Sequence, residues 1–442
     1  MIQHDLFQQY KEDVLREPER YIREYHKVKQ RVNFSPAIYK GEPVKFLYQP
    51  FFFSDQDIKR FRVLVKTLGG ILEKVIQQYL REPNFRKHFA FSPFLQDLIL
   101  ADPGYRHPFP MGRFDVFYHK DGSFQFCELN ADGSSGMVES RELDQIIYNS
   151  LALDRYKKDY DFHTFELFDS WIDALVHNYR QFSNTKKSPQ VAIVDFMEDK
   201  PPSEFIEFQK AFEKRGYSTI IADPRDLELK GEHLYCKDFR IDCIYRRTVT
   251  WEVEKHQEEV QDFIEAYLQG KVCVVGSFRS QIIHNKIIFS VLHDEEATDF
   301  LTQEERQFIN NHIPYTLPFN RKEPRLLEMI LENKDRYVLK PSDKYACLGV
   351  SVGKDYLSEQ WRRFAEEELG EEYLIQEYCN VPSMEMAIFS KDKVEFQQCN
   401  YITGLYVYNG EFQGIYHRAG RENIIGSLVE GFSLPNYLVR KK

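Results

Sequence analysis

Apolar positions along the chain change period several times, and each change marks an element. Within Phe61–Tyr79 the residues Leu64, Val65, Leu68, Leu72 and Val75 recur at helical spacing, the pattern of one buried helix face. Residues 1–110 read as mainly helical, interrupted by an aromatic stretch from Tyr48 to Phe53. Residues 111–130 switch to alternation, the sign of half-buried strands, and Phe165–Phe182 return to a helix. The polar run Ser183–Gln190 reads as a linker.

Beyond that linker, apolar runs alternate with helical signals. Val191–Phe196 predict a buried strand. Ser203 is expected to cap a helix on which Phe205, Phe208 and Phe212 share a face, with Gly216 ending it. Ser218–Pro224, Ile241–Arg247 and Lys271–Ser277 predict three more strands, with a helix before the last. This alternation predicts a small parallel α/β unit over 186–294. The remainder, 295–442, reads as α+β. It holds a strand ending at Lys340-Pro341, a helix over 358–369 capped by Ser358 and stopped by Gly370, and a strand over Glu372–Cys379. The chain thus divides into a helical region 1–110, a hairpin and helix 111–185, the α/β unit 186–294, and 295–442.

Composition narrows the class. At about 150 residues per domain, 442 residues make two or three packed units. An apolar fraction of 42% with 15% aromatics argues against a disordered chain. No run approaches the roughly 18 apolar residues of a membrane helix, and the charged start carries no signal-peptide core. A net charge of −10 gives no electrostatic reason to hold a nucleic acid. The seven cysteines (Cys127, Cys236, Cys243, Cys273, Cys347, Cys379 and Cys399) are odd in number and lack CxxC spacing. Neither a disulfide framework nor a zinc site is indicated. A cytoplasmic protein of enzyme size, with no nucleic-acid or membrane partner, is the expectation.

The segment from Met111 to Gly136 carries chemistry. Asp121-Gly122 predicts a two-residue type I′ turn, which needs positive φ at both positions. That register pairs Lys120 with Ser123, Asp115 with Glu128, and Arg113 with Asn130, all four of the last residues on one face. Opposed carboxylates repel unless a cation lies between them or one is protonated. Asp, Glu and Asn oxygens suit Mg²⁺ holding a phosphate-bearing substrate. Arg113 offers a bidentate clamp, and the loop Gly133–Gly136 offers backbone N–H groups to an anion. The same segment also reads as an exposed hairpin with scattered charge. Lys340, leaving a strand beside a loop with Gly349 and Gly353, reads as a phosphate ligand or as a surface lysine. Gln376-Glu377 reads as an ordinary strand edge. A second I′ turn at Asn409-Gly410 sets Arg418 opposite Tyr401, as a cation–π contact or as an active-site group.

Together these segments resemble the circularly permuted ATP-grasp ligases, the group that includes the synthetase domain of glutathionylspermidine synthase. The residues that carry the resemblance are RFD at 113–115, ELNADGSSG at 128–136, HNK at 284–286, VLKP at 338–341, IQEY at 375–378 and GIYHR at 414–418. Their order is the permuted one, with the Asp and Glu-x-Asn pattern before the two lysines. The resemblance implies a mixed α/β and α+β fold, a permuted ATP-grasp core with a pre-ATP-grasp-like unit at 186–294 and a lid and hinge at 295–442. It implies ATP and Mg²⁺ as cofactors, two ions being expected, with Asp115, Glu128 and Asn130 as metal ligands. Lys286 and Lys340 would contact ATP phosphates. Gln376, Glu377 and Tyr378 would form the hinge against adenine, and the loop Ser342–Gly349 would close over the nucleotide. Arg113 and Arg418 would stabilise the transferred phosphoryl group, and Ser134 and Ser135 would lie near the carboxylate substrate. The implied activity joins a small-molecule or peptide acid to an amine through an acyl phosphate.

This chain departs from the pattern in three places. The stretch Tyr345–Gly349 is poorer in glycine than the usual phosphate-covering loop. The Ile241–Val249 segment is closer to the broader permuted group than to the glutathionylspermidine enzymes. With no cysteine before Cys127, the cysteine amidase of bifunctional relatives is not expected. The alternatives are a nucleotide-binding module without ligase chemistry, whose sign would be a missing metal ligand or phosphate lysine, and an enzyme that stops at a phosphorylated product. None of those residues is missing.

Overall fold

The computed structural model describes residues 2–197, 202–320, 323–343, 347–368, 372–426 and 431–442. Two helices, α1 (Ile2–Arg16) and α2 (Pro18–Asn33), lead through a short strand β1 (Phe51–Phe53) to the long helix α3 (Asp55–Arg81). Helix α3 starts where Ser54 Oγ accepts the Asp57 N–H at 3.2 Å while the Asp57 carboxylate accepts the Ser54 N–H at 2.8 Å, a reciprocal cap. Its stripe of Leu64, Val65, Leu68, Leu72 and Val75 is buried.

The first hairpin pairs β2 (Met111–Tyr118) with β3 (Phe124–Asn130), and α4 (Met137–Tyr148) follows it. The turn differs from the predicted one. His119 N–H bonds Ser123 O at 2.8 Å and Gly122 N–H bonds His119 O at 2.9 Å. Only Gly122 takes a positive φ, +87°. The loop therefore has three residues, with the Asp121 carboxylate accepting Ser123 N–H at 2.9 Å and holding the turn from within. This slips the pairing by one residue, and a bulge at Cys127 slips it back: Val116 faces Phe126 while Asp115 faces Glu128. The predicted opposition of Asp115 with Glu128 and of Arg113 with Asn130 stands, by a different route.

Next comes the parallel unit: β4 (Val191–Val194), α5 (Ser203–Lys214), β5 (Thr219–Ala222), β6 (Cys243–Arg246) and β7 (Cys273–Val275), in the spatial order β7-β6-β4-β5. Ser203 does not cap α5. It is the first helical residue, behind Pro202, and its hydroxyl donates to Pro36 O at 2.7 Å. Gly216, at φ +83°, follows the helix end as expected. A short helix α6 (Gln281–His284) leads on to a second, antiparallel sheet. Its strands are β8 (Thr316–Pro318), β9 (Tyr337–Pro341), β10 (Ser351–Val352) and, after helix α7 (Ser358–Arg363), β11 (Tyr373–Glu377), in the order β8-β11-β9-β10. Helix α7 is shorter than predicted and passes into a π-helical turn at Phe364–Glu368. Leu357, not Ser358, precedes it, and Gly370 lies outside the described residues.

Four late strands, β12 (Ser383–Phe389), β13 (Val394–Tyr408), β14 (Glu411–Gly420) and β15 (Phe432–Leu434), join the first hairpin in one sheet of order β15-β14-β13-β2-β3, with β12 on the first half of β13, while the final strand, Asn436–Lys441, pairs with β1. Asn409 and Gly410 have φ of +46° and +80°, the predicted type I′ turn. A bulge between Tyr406 and Val407 then moves the register, so Arg418 lies opposite Ile402 rather than Tyr401. One face of this sheet, with Phe114, Val116, Leu405 and Ile415, packs in the same core as α3. By alternation the other face carries Arg113, Asp115, Tyr416 and Arg418. Among the described residues no helix is long and apolar enough to cross a membrane.

Candidate functional site

The charged face of the central sheet gathers five of the expected residues into one network. Arg113 grips Asp115 with two bonds, Nε to Oδ1 at 2.8 Å and Nη2 to Oδ2 at 3.0 Å, a bidentate pair. Arg418 Nη2 reaches Asp115 Oδ2 at 2.6 Å. The Asn130 amide donates to Asp115 at 3.2 Å and to Glu128 at 3.0 Å. Asp115 is fully buried. Gly404, opposite Asp115 on β13, makes this possible, because a Cβ there would stand 2.7 Å from Asp115 Oδ1 and 2.9 Å from Arg113 Cδ. Arg418 therefore pairs with a carboxylate across three strands rather than stacking on Tyr401.

Glu128 has a different environment. Burial opposes its ionisation, yet Lys286, the Asn130 amide, Arg418 and Lys340 together hold its carboxyl well below the usual carboxylate range. Lys340, at the end of β9, donates to Cys127 O at 3.3 Å, a carbonyl presented by the bulge. Lys286 follows α6, and its backbone N–H bonds Ser342 O at 2.9 Å, tying the parallel unit to the segment after Lys340.

These groups stand at one end of a cleft of about 810 Å³ between the second antiparallel sheet and the central one. Val338, Val352 and Ile402 give it apolar walls, and Gln376, Glu377 and Tyr378 line its far side. Gln376 is buried and donates to Thr316 Oγ1 at 3.0 Å. The N–H groups of Glu377 and Tyr378 are engaged by Tyr315 O and Arg336 O, each at 2.8 Å. Tyr378 stacks its ring under Lys354 Nζ at 3.8 Å. Three thiols also line the cleft. Burial pushes Cys127 up to about 12 and Cys379 up to about 11, and raises Cys347. Lys344, Tyr345 and Ala346 of the expected covering loop lie outside the described residues, and Cys347 and Gly349 both have positive φ.

Glu128, Cys347 and Arg418 also line a second chamber of about 890 Å³. Ser134 and Ser135 are there, but the Ser134 hydroxyl donates back to Asn130 O at 2.8 Å. Ser135 O accepts Arg113 Nη1 at 3.0 Å and the Tyr406 hydroxyl at 2.8 Å. Several groups here escaped the sequence reading. Arg247, at the end of β6, bonds Ser134 O and pairs with Glu204 at 3.1 Å. Glu204 in turn accepts the N–H groups of Gly136 at 3.0 Å and Val138 at 3.3 Å, filling the start of α4. Arg246 pairs with Asp132 at 2.6 Å, both buried. The paired arginines were visible in the sequence, but no periodicity assigns them partners from the loop after β3 and from α5.

Hard oxygen donors are what a magnesium ion takes. Asp115, Glu128 and Asn130 supply hard oxygens, yet Arg113, Arg418, Lys286 and Lys340 outnumber the two carboxylates. Arg418 Nε is buried with no hydrogen-bond partner among the described residues. An excess of cations with an unused donor fits a metal ion that arrives on an anionic phosphate chain.

A profile of the family described as "Glutathionylspermidine synthase preATP-grasp" matches residues 39–432. The ATP-grasp enzyme ankG of Aspergillus thermomutatus is 31% identical over 150 residues, 32% of this chain, and the match spans 31% of that relative's length. A candidate gamma-glutamylcysteine synthetase from Methylobacillus flagellatus superposes with a TM-score of 0.43 at 11% identity, over 86% of this chain and 88% of that one. D-alanyl-alanine synthetase A from Vibrio cholerae gives a TM-score of 0.29 at 12% identity, over 48% and 68%.

Proposed function

The chain belongs to the glutathionylspermidine synthase preATP-grasp family, and from that premise we propose that it is an ATP-dependent ligase joining a carboxylic acid to an amine through an acyl phosphate. The observation that carries this reading is the convergence of Lys286, Lys340 and Arg418 on Glu128 at the junction of two hollows. One hollow suits a nucleotide and the other an acid–amine pair. The order of the site segments in the chain supports the permuted connectivity.

Adenine would lie against Gln376, Glu377 and Tyr378, with recognition falling to carbonyls and side chains, since the N–H groups of Glu377 and Tyr378 are already bonded. Lys286 and Lys340 would hold the phosphates. Asp115, Glu128 and Asn130 would hold magnesium, which would supply charge neutralisation to the phosphates. The two arginines would divide their work. Arg113 has Nε, Nη1 and Nη2 all engaged, so it would fix Asp115 and the Ser135 loop. Arg418 keeps Nε for a transferred phosphoryl oxygen, where charge spreads in the transition state. The acid oxygen would attack the γ-phosphorus and release ADP. The amine nitrogen would then attack the acyl carbon and expel phosphate.

The test has two parts. Mg·ATP at a hundred times its Kd should stabilise the fold by about 2.7 kcal/mol in thermal unfolding. ADP release, screened over acid–amine pairs, should require both partners. ADP formed with acid alone, with a stable phosphorylated product, would mean the reaction stops at phosphorylation, and no stabilisation with no ADP would overturn the reading.

A further inference from the structure

Three hollows adjoin one another along the charged face of the central sheet. The nucleotide cleft and the second chamber share Glu128, Cys347 and Arg418. The second chamber shares Tyr39 and Glu139 with a third pocket of about 460 Å³, whose wall includes the exposed Glu42 and Lys45.

Glu139 stands at that second junction, on the first turn of α4, and is 9% exposed. The other carboxylates of the chamber have basic partners. Asp132 pairs with Arg246 at 2.6 Å and Asp343 faces His284 at 3.8 Å. Glu128 lies among lysines and Arg418. Among the described residues, Glu139 is hydrogen-bonded by two neutral hydroxyls, Tyr416 Oη and Ser433 Oγ, the latter at 3.0 Å, and makes no ion pair. A carboxylate withdrawn from water without a counter-ion is costly to keep charged. Burial, helped by the nearby Glu204 carboxylate, accordingly raises its carboxyl above the usual range, against the pull of the two hydroxyls and Arg418.

The position suits the amine partner, whose nitrogen must give up a proton before it attacks. The Tyr416 ring carries Arg113 and Arg418 at 5.3 and 5.4 Å on its faces while its hydroxyl holds Glu139. One tyrosine thus separates Glu139 from the arginines of the phosphoryl site. The chamber is sorted by charge, with the basic groups toward the nucleotide and Glu139, which has no ion pair among the described residues, toward the third pocket, where Glu42 and Lys45 offset one another at the rim. An acid seeks the first end and an amine the second.

We propose that Glu139 receives the amine substrate as an ammonium ion, which reaches the second chamber through the pocket bounded by Tyr39 and Glu42. This rests on the ligase reading for its amine, but it is tested without turnover.

n-Butylamine and n-butanol, matched in shape and different in charge, are titrated by ligand-observed NMR into full-length protein saturated with Mg·ADP. Butylamine should bind at least tenfold more tightly than butanol, and Glu139→Gln, which keeps an acceptor for both hydroxyls, should erase that difference. The Mg·ADP thermal shift should be unchanged in Glu139→Gln, which also reports that the variant is folded. Glu42→Lys, at an exposed position that leaves the fold alone, should weaken butylamine two- to threefold at low salt and leave butanol as it was. Equal binding of the two probes, no butylamine binding, or a Glu139→Gln protein that still prefers the amine would each overturn the proposal. An unaffected butylamine affinity in Glu42→Lys would overturn the route. Amine binding at Glu139 without any Mg·ADP stabilisation would keep the amine site and reject the nucleotide reading.

Discussion

At the scale of single residues, Asp115 and Glu128 face each other but do different work. Asp115 is buried and answers two arginines, so Asp115→Asn would leave both guanidinium groups without their counter-charge. Removing one partner of a buried pair costs about 3–5 kcal/mol, and that loss would confound any loss of turnover. Glu128 is half-buried, and Gln can keep the Asn130 bond. Glu128→Gln removes the charge that Lys286, Arg418 and Lys340 face, so its urea midpoint should fall, but by less than in Asp115→Asn, and it should lose ADP release. Near-normal turnover in Glu128→Gln would remove it from the metal set. These residues were legible in the sequence because alternation places Arg113 and Asp115, and Glu128 and Asn130, on one face of adjacent strands. Gly404 and Arg247 were not, because their role lies in contacts with strands and loops far away in the chain.

At the scale of elements, two hairpins show how register can be right for the wrong local reason. Asp121-Gly122 carries the I′ signature, but the Asp121 side chain bonds Ser123 instead and the loop takes a third residue. The Cys127 bulge restores the pairing and presents the carbonyl that meets Lys340. A bulge leaves no periodic trace, which is why the sequence also misplaced Arg418 by one residue against β13. The turn type has a direct test. In the three-residue loop Lys120 sits at the first corner of the turn, where proline is favoured. In a two-residue loop it would be a ladder residue. Lys120→Pro should therefore be neutral or stabilise by about 0.4–1 kcal/mol. Gly122→Ala, at φ +87° and against the Arg60 guanidinium, should destabilise by about 1–2 kcal/mol. Chemical denaturation of both variants decides it, since a large loss in Lys120→Pro would mean the shorter turn.

At the scale of the whole molecule, the candidate site belongs to no single stretch. The first cleft takes its walls from Phe117 and Glu128 of the first hairpin, from Lys286, from Val338, Lys340 and Gln376 of the second sheet, and from Ile402 and Arg418 of the late strands. The first hairpin lies in the same sheet as the last strands, and Lys286 is tied by its backbone to Ser342. A ligand that fills such a cleft must order all its walls at once, because binding to the native state alone lowers the population of every opening that breaks the cleft. Mg·ADP should therefore slow amide hydrogen exchange together in β3, β9, β11 and β14, with little change in β5 at the outer edge of the parallel sheet. Protection confined to β9 and β11 would mean that the nucleotide sits on the second sheet alone, and the Asp115–Glu128 pair would then lie outside its reach. The same experiment bears on charge. The chain is net negative, while four basic side chains crowd two carboxylates at the cleft. Arg113 and Arg418 already answer Asp115, but an anion reduces the repulsion that Lys286, Lys340 and Arg418 share, so Mg·ADP protection should weaken as added salt screens that attraction.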